Sequence, residues 1–92
     1  MDVYAQIVES IIRHQEAIIG PVAIEQAQQI ADLQLDWSKH QVTVGGDPVR
    51  VIDNLVQAYK NLFGQISVEV SKEAAASLIG QLHPDRLPQT LK

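Results

Sequence analysis

No cysteine occurs anywhere in this chain. That excludes a disulfide framework and any zinc site built on thiolates, and it fits a cytoplasmic protein. Aromatic residues are nearly as scarce: Tyr4, Trp37, Tyr59 and Phe63 are the whole set. A core must therefore be aliphatic. The longest apolar run, Ala17 to Ile24, is interrupted by Gly20-Pro21 and falls far short of the ~20 residues that a membrane span requires. An early acid and no basic stretch precede the first apolar residues, so no secretory signal is expected. Basic residues are scattered singly in a chain of net charge -4. Nucleic-acid binding calls for a basic stripe. Neither nucleic acid nor a membrane is expected as a partner.

What is present is amphipathic periodicity. The length of 92 residues allows one domain, here a single helical domain over 1–84 with a flexible tail over 85–92. A chain this short buries roughly 60–65% of its unfolded surface, so its stability is modest. Apolar residues at 3, 7, 8, 11, 12, 18 and 19 share one face of a helix that Gly20-Pro21 interrupts. Glycine suits a helix end and proline the first turn of the next helix, so a second helix is predicted from Pro21 to about Ala31. A single helix kinked at Pro21 is the alternative. Either way the chain turns a sharp corner near Gly20.

Leu33 to Gly46 has a different rhythm. Leu33, Leu35 and Trp37, then Val42 and Val44, alternate with polar residues. That is a period of two. The stretch 33–46 is either two short strands or an extended connector. The connector is preferred, with at most one strand-like pairing, since an isolated hairpin is marginal. Asp47-Pro48 then starts a helix, with Asp as N-cap and Pro at its first position. Val51, Ile52, Leu55, Val56, Tyr59, Leu62 and Phe63 form its stripe, up to Gly64. Beyond it, Ile66, Val70, Ala74, Leu78 and Leu82 recur every fourth position, predicting a helix that Pro84 ends.

The fold class expected is all-α: a compact four-segment helical domain made of two helix-Gly-helix halves. Gly20 and Gly64 stand 44 residues apart, and that offset also pairs Ile7 with Val51, Val8 with Ile52, Ile11 with Leu55, Ile12 with Val56 and Glu25 with Glu69. The agreement crosses both glycines without a gap. It suggests an internal duplication, repeats 1–44 and 45–88, in which each half covers the other. Gly20, Pro21 and Gly64 are the expected structural hinges. At the same offset Gln15 meets Tyr59. Both are amphipathic, so the position either lies at a core edge with its polar tip in water or makes a polar contact that fixes partner or register.

Chemistry is hard to find. His14, His40 and His83 have no companions at metal-ligand spacing. Val44-Gly45-Gly46-Asp47-Pro48 lacks both the dinucleotide fingerprint and the P-loop lysine. Asp32, Asp36 and Asp47 read as loop acids, and no serine has a nucleophile-elbow context. No catalytic residue, metal or cofactor is expected. The strong signal is the pair of apolar stripes. A small domain that cannot cover both hides the remainder in a partner, so a homodimer or a helical protein partner is expected. The interface is expected to involve Ile11, Gln15 and Ile18 of one half and Val56, Tyr59 and Phe63 of the other. The runner-up is a small-molecule-binding regulatory domain, with a pocket between the halves near Gln15, Tyr59 and Trp37.

Ala17-Ile18-Ile19-Gly20-Pro21-Val22-Ala23, after an amphipathic helix, resembles the bulky-Gly-Pro-bulky-Ala signature of small helical modules. Such modules lie at the ends of bacterial and archaeal signalling proteins. The counterpart Leu62-Phe63-Gly64-Gln65-Ile66-Ser67 departs from the signature by lacking the proline. The resemblance implies a protein-interaction or dimerisation role, regulatory or signalling-associated, without catalysis. It assigns no functional residue.

Overall fold

The first helix is opened by a side chain. Asp2 accepts a hydrogen bond from the Ala5 N–H at 2.9 Å, satisfying a donor that has no partner within the helix. In this computed structural model, which describes residues 2–92, the helix α1 then runs over Val3–Ile19. A short α2 follows over Val22–Gln28. Strands β1 (Leu33–Asp36) and β2 (Gln41–Val44) flank a 3-10 turn at Trp37–Lys39. The long helices α3 (Pro48–Phe63) and α4 (Gln65–Ile79) come next, and 3-10 turns at Pro84–Arg86 and Gln89–Leu91 finish the chain. Asp47 and Pro48 start α3 as the sequence predicts, with the Asp47 carboxylate accepting from the Val49 N–H.

The architecture is mostly helical and compact, but it is not all-α. β1 and β2 pair antiparallel, with Leu33 opposite Val44 and Leu35 opposite Val42. Those four apolar residues share one face of the hairpin, and Leu33 and Val42 are buried. The hairpin escapes the instability of an isolated pair because that face lies over α1 and α2. Its tip is latched to α1 as well. The Trp37 indole N–H donates to Glu16, and the His40 ring lies 3.0 Å from the Glu9 carboxylate. α2 also ends earlier than predicted. Gln29 and Ile30 bond back three residues instead of four, and Asp32 takes a positive φ of 65° that turns the chain into β1.

Each glycine corner is built the same way. Gly20 has φ 76° and ψ -156°, and Gly64 has φ 78° and ψ -166°. The Gly20 N–H donates to the Glu16 carbonyl and the Gly64 N–H to that of Lys60, while the Gly20 and Gly64 carbonyls accept from Ala23 and Ser67. Every partner in one corner sits 44 residues from its counterpart in the other. The burial pattern follows the same offset. Ile7 and Val51, Val8 and Ile52, Ile11 and Leu55, and Ile12 and Val56 are all buried. Their shared core is completed by Ala23, Ala27, Ala74, Ala75 and Tyr59.

The inner face of α4 differs from the predicted one. Ile66 is exposed and Val70 half-buried, while Ser67, Ser71, Ala74 and Ala75 are buried. Small side chains let α1 approach α4 closely. Their antiparallel register is written in two bonds: Ser10 Oγ donates to the Ala74 carbonyl at 2.7 Å, and Gln15 Nε2 to the Ser67 carbonyl at 2.9 Å.

The C-terminal segment, expected to be a flexible tail, is docked. Pro88 and Leu91 are buried, packed over α3 and α4 much as the hairpin packs over α1 and α2. The Asp53 carboxylate accepts from the Gln89 and Thr90 N–H groups and from the Thr90 hydroxyl. Arg86 reaches Asp47. Polar anchors of this kind cannot be foreseen from a stretch that shows no periodicity.

Two outcomes follow. The corner glycines occupy a backbone region that is essentially reserved for glycine, although an added Cβ would meet no atom at either. Gly20→Ala and Gly64→Ala should each cost about 1–3 kcal/mol, nearly equal, in urea unfolding. Leu91→Ala should cost about 2–5 kcal/mol by the same measurement. A loose tail would show no loss.

Candidate functional site

Among the described residues, four large apolar side chains escape the core: Ile18 is 65% exposed, Leu62 53%, Phe63 37% and Ile66 72%. All four sit within two residues of a corner glycine. Ile18 and Leu62 are equivalents at the 44-residue offset. Position along the helices explains why they are exposed. Consecutive pairs further back, such as Ile11-Ile12 and Leu55-Val56, are buried. Ile18, Leu62 and Phe63 sit in the last turns of α1 and α3 and Ile66 in the first turn of α4, where the opposing helices end.

The four come together at one end of the molecule. With Ser10 beside Ala74 and Gln15 beside Ser67, the antiparallel register carries the last turn of α1 level with the first turn of α4. Ile18 therefore lies at the same end as Ile66, and Leu62 and Phe63 adjoin Ile66 across Gly64. From Lys60 to Ile66 every residue is exposed, as are Ala17 and Pro21. The result is an apolar end face with no acid in its centre.

The six residues expected at an interface divide cleanly. Ile18 and Phe63 lie on this end face. Ile11, Gln15, Val56 and Tyr59 are buried within the chain, where no partner can reach them. The physical reason is that the apolar stripes of the two halves cover one another completely along most of their length. Leu62 and Ile66, which the sequence reading assigned to core stripes, belong to the exposed face instead. Both lie within two residues of Gly64, and that nearness to a helix end was the available signal.

Gln15 and Tyr59 turn out to be internal fasteners. Gln15 Nε2 donates to the Ser67 carbonyl and to Ser71 Oγ. The Tyr59 hydroxyl donates to the Ala23 carbonyl at 2.7 Å. Ala23 and Ser67 are again 44 residues apart, so each half sends its polar tip into the second helix of the other half. Of the two alternatives at this position, contact with water is overturned and the register-fixing contact is what the structure contains. Burial pushes the Tyr59 hydroxyl well above the usual tyrosine range.

The runner-up pocket fares differently. Gln15 and Tyr59 are packed in the core and Trp37 lies against the outside of α1. A cleft of about 290 Å³ does exist, but Ala31, Asp32, Asp47, Arg50, Val51 and Asn54 line it, at the start of α3. The serine hydroxyls of Ser10, Ser67 and Ser71 are spent on backbone carbonyls. His14 bonds the Ser10 carbonyl, and His83 caps the turn at Asp85. Among the described residues, no three His, Asp or Glu side chains converge as a metal site would, and no helix is long and apolar enough to cross a membrane. Comparison with family models, curated proteins and solved structures finds no match to this chain.

Tyr59 yields a pH test. In the folded chain its hydroxyl stays protonated at pH values where the unfolded chain already ionises, from about pH 10. There the unfolded state holds fewer protons, so stability falls as pH rises above about 10. Tyr59→Phe should cost about 0.5–1.5 kcal/mol near neutrality. It should also flatten the alkaline loss, read as denaturation midpoints from about pH 9 to 11. A slope equal to that of the parent chain would contradict a buried phenol.

Proposed function

We propose that this chain is a non-enzymatic protein-interaction module, regulatory or signalling-associated, that docks an apolar partner surface through the end face at its two glycine corners. The observation that carries this reading is the exposure of Ile18, Leu62, Phe63 and Ile66 beside a core that is otherwise closed. Fully burying a side chain of this kind is worth about 1.5–3 kcal/mol. A small domain gains nothing in its own stability by holding four of them in water at one end. Contiguous apolar patches on otherwise well-packed proteins mark interaction sites. The hydroxyls of Ser10, Tyr59, Ser67 and Ser71, by contrast, are engaged in holding the fold.

The same reading treats the two halves as a duplicated unit. Each is a helix, a glycine corner, a second helix and a covering segment, and the matching corner bonds and crossed side-chain bonds support that origin. Duplication brings two corners to one place and so doubles the apolar end. The partner is a second copy or a helical protein with a complementary apolar face.

A photo-crosslinking residue introduced at Leu62 or Ile66, in the cells that make the protein, should capture a discrete protein band. The same residue at Gln81, exposed on the far side of α4's C-terminus, should not. Equal capture at all three positions, or none at any, would sink the interaction reading.

A further inference from the structure

We infer that the occupant of the end face is a second copy of this chain, docked end to end about a two-fold axis. This rests on the interaction reading above and names its partner. Charge favours it. Each copy carries a net charge of -4, so two copies repel wherever acids face acids. The end face is the place where they need not. Its exposed centre, Asn61-Leu62-Phe63-Gly64-Gln65-Ile66 with Ala17-Ile18 opposite, contains no charged side chain.

The rim carries both signs. Lys60 lies before one corner and Glu25 beyond the other, while Glu69 and Lys72 stand 4.0 Å apart on α4. A rim of mixed sign suits a surface that meets its own copy, because a two-fold rotation can set the lysine of one copy towards an acid of the other. A strongly acidic or basic partner, or an anionic bilayer, calls for a rim of one sign.

A specific dimer hides about 800 Å² on each partner, from a total surface of 5066 Å² here. Four large apolar side chains form the centre of the face, and Asn61, Gln65 and the rim charges supply the polar margin that surrounds such centres. The face is also contributed by both halves, Ile18 by one and its equivalent Leu62 by the other. A closed two-fold contact needs a patch that meets itself, and a face built twice from one unit offers it the same apolar knob twice.

The test is sedimentation of the purified full chain over a wide concentration series. A monomer–dimer equilibrium is expected, moving towards twice the chain mass as concentration rises. Leu62→Glu and Ile66→Glu lie at exposed helical positions and should leave thermal unfolding of the monomer, read at concentrations too low for the dimer, unchanged while weakening the dimer about tenfold or more. Lys60→Glu should weaken it less, and added salt should move it little. A chain that stays monomeric at every concentration overturns the second copy. It leaves the interaction reading standing if crosslinks at Leu62 and Ile66 still capture a different protein. A dimer that both Leu62→Glu and Ile66→Glu leave intact also overturns the inference, because copies would then be meeting through some other surface.

Discussion

Two crossed hydrogen bonds hold the design of this molecule in place. Gln15 reaches out of α1 to the Ser67 carbonyl of α4, and Tyr59 reaches out of α3 to the Ala23 carbonyl of α2. A buried amide or phenol left without a partner costs free energy on the scale of a lost hydrogen bond or more. Each of these side chains therefore tolerates one register of its helix against the opposing one. With that register set, Ser10 falls beside Ala74, the small residues of α4 meet α1, and the aliphatic residues of both halves close over a common core. The glycine corners are then carried to the same end, and the side chains beside them have nothing left to pack against.

The closing of the core also depends on what covers it from outside. Each half is too thin to exclude water from both sides of its helix pair. The hairpin supplies the cover for α1 and α2, and the C-terminal turns supply it for α3 and α4. The two covers have different structure and the same task. One is a strand pair whose four apolar residues share a face. The other is an irregular segment whose Leu91 is buried and whose backbone is tied to Asp53. Such a segment needs a polar anchor because it has no ladder or helix of its own to satisfy its N–H groups. Among the described residues, the large apolar side chains left exposed lie at the end beside the glycine corners.

Much of this was legible from residue order, and the failures have specific causes. The spans of α1 and α3, the Asp47-Pro48 start and both glycine corners follow from local chemistry that no packing overrides. The α4 stripe holds at Ala74, Leu78 and Leu82 but was misplaced at Ile66 and Val70, because periodicity rewards apolar residues, whereas the face against α1 there is chosen for smallness and for hydroxyls that Gln15 can use. The tail was misjudged because its anchor, Asp53, lies far away in sequence. Four of the six expected interface residues are core. The apolar end face was half visible, in Ile18 and Phe63, and half hidden, in Leu62 and Ile66.

By itself, then, the sequence determined the segments: helical period, caps, corners and the recurrence at 44 residues all act within a few turns of chain. Only the tertiary structure decided which apolar residues would be covered. Periodicity says that a helix has an apolar side, but the amount of that side left in water depends on where the opposing helix begins and ends. Here the opposing helices stop at the glycines. Ile11 and Ile18 carry the same side chain on one helix, seven residues apart. One is sealed in the core and the other stands at the end face, because α4 runs alongside the first and starts only at the second.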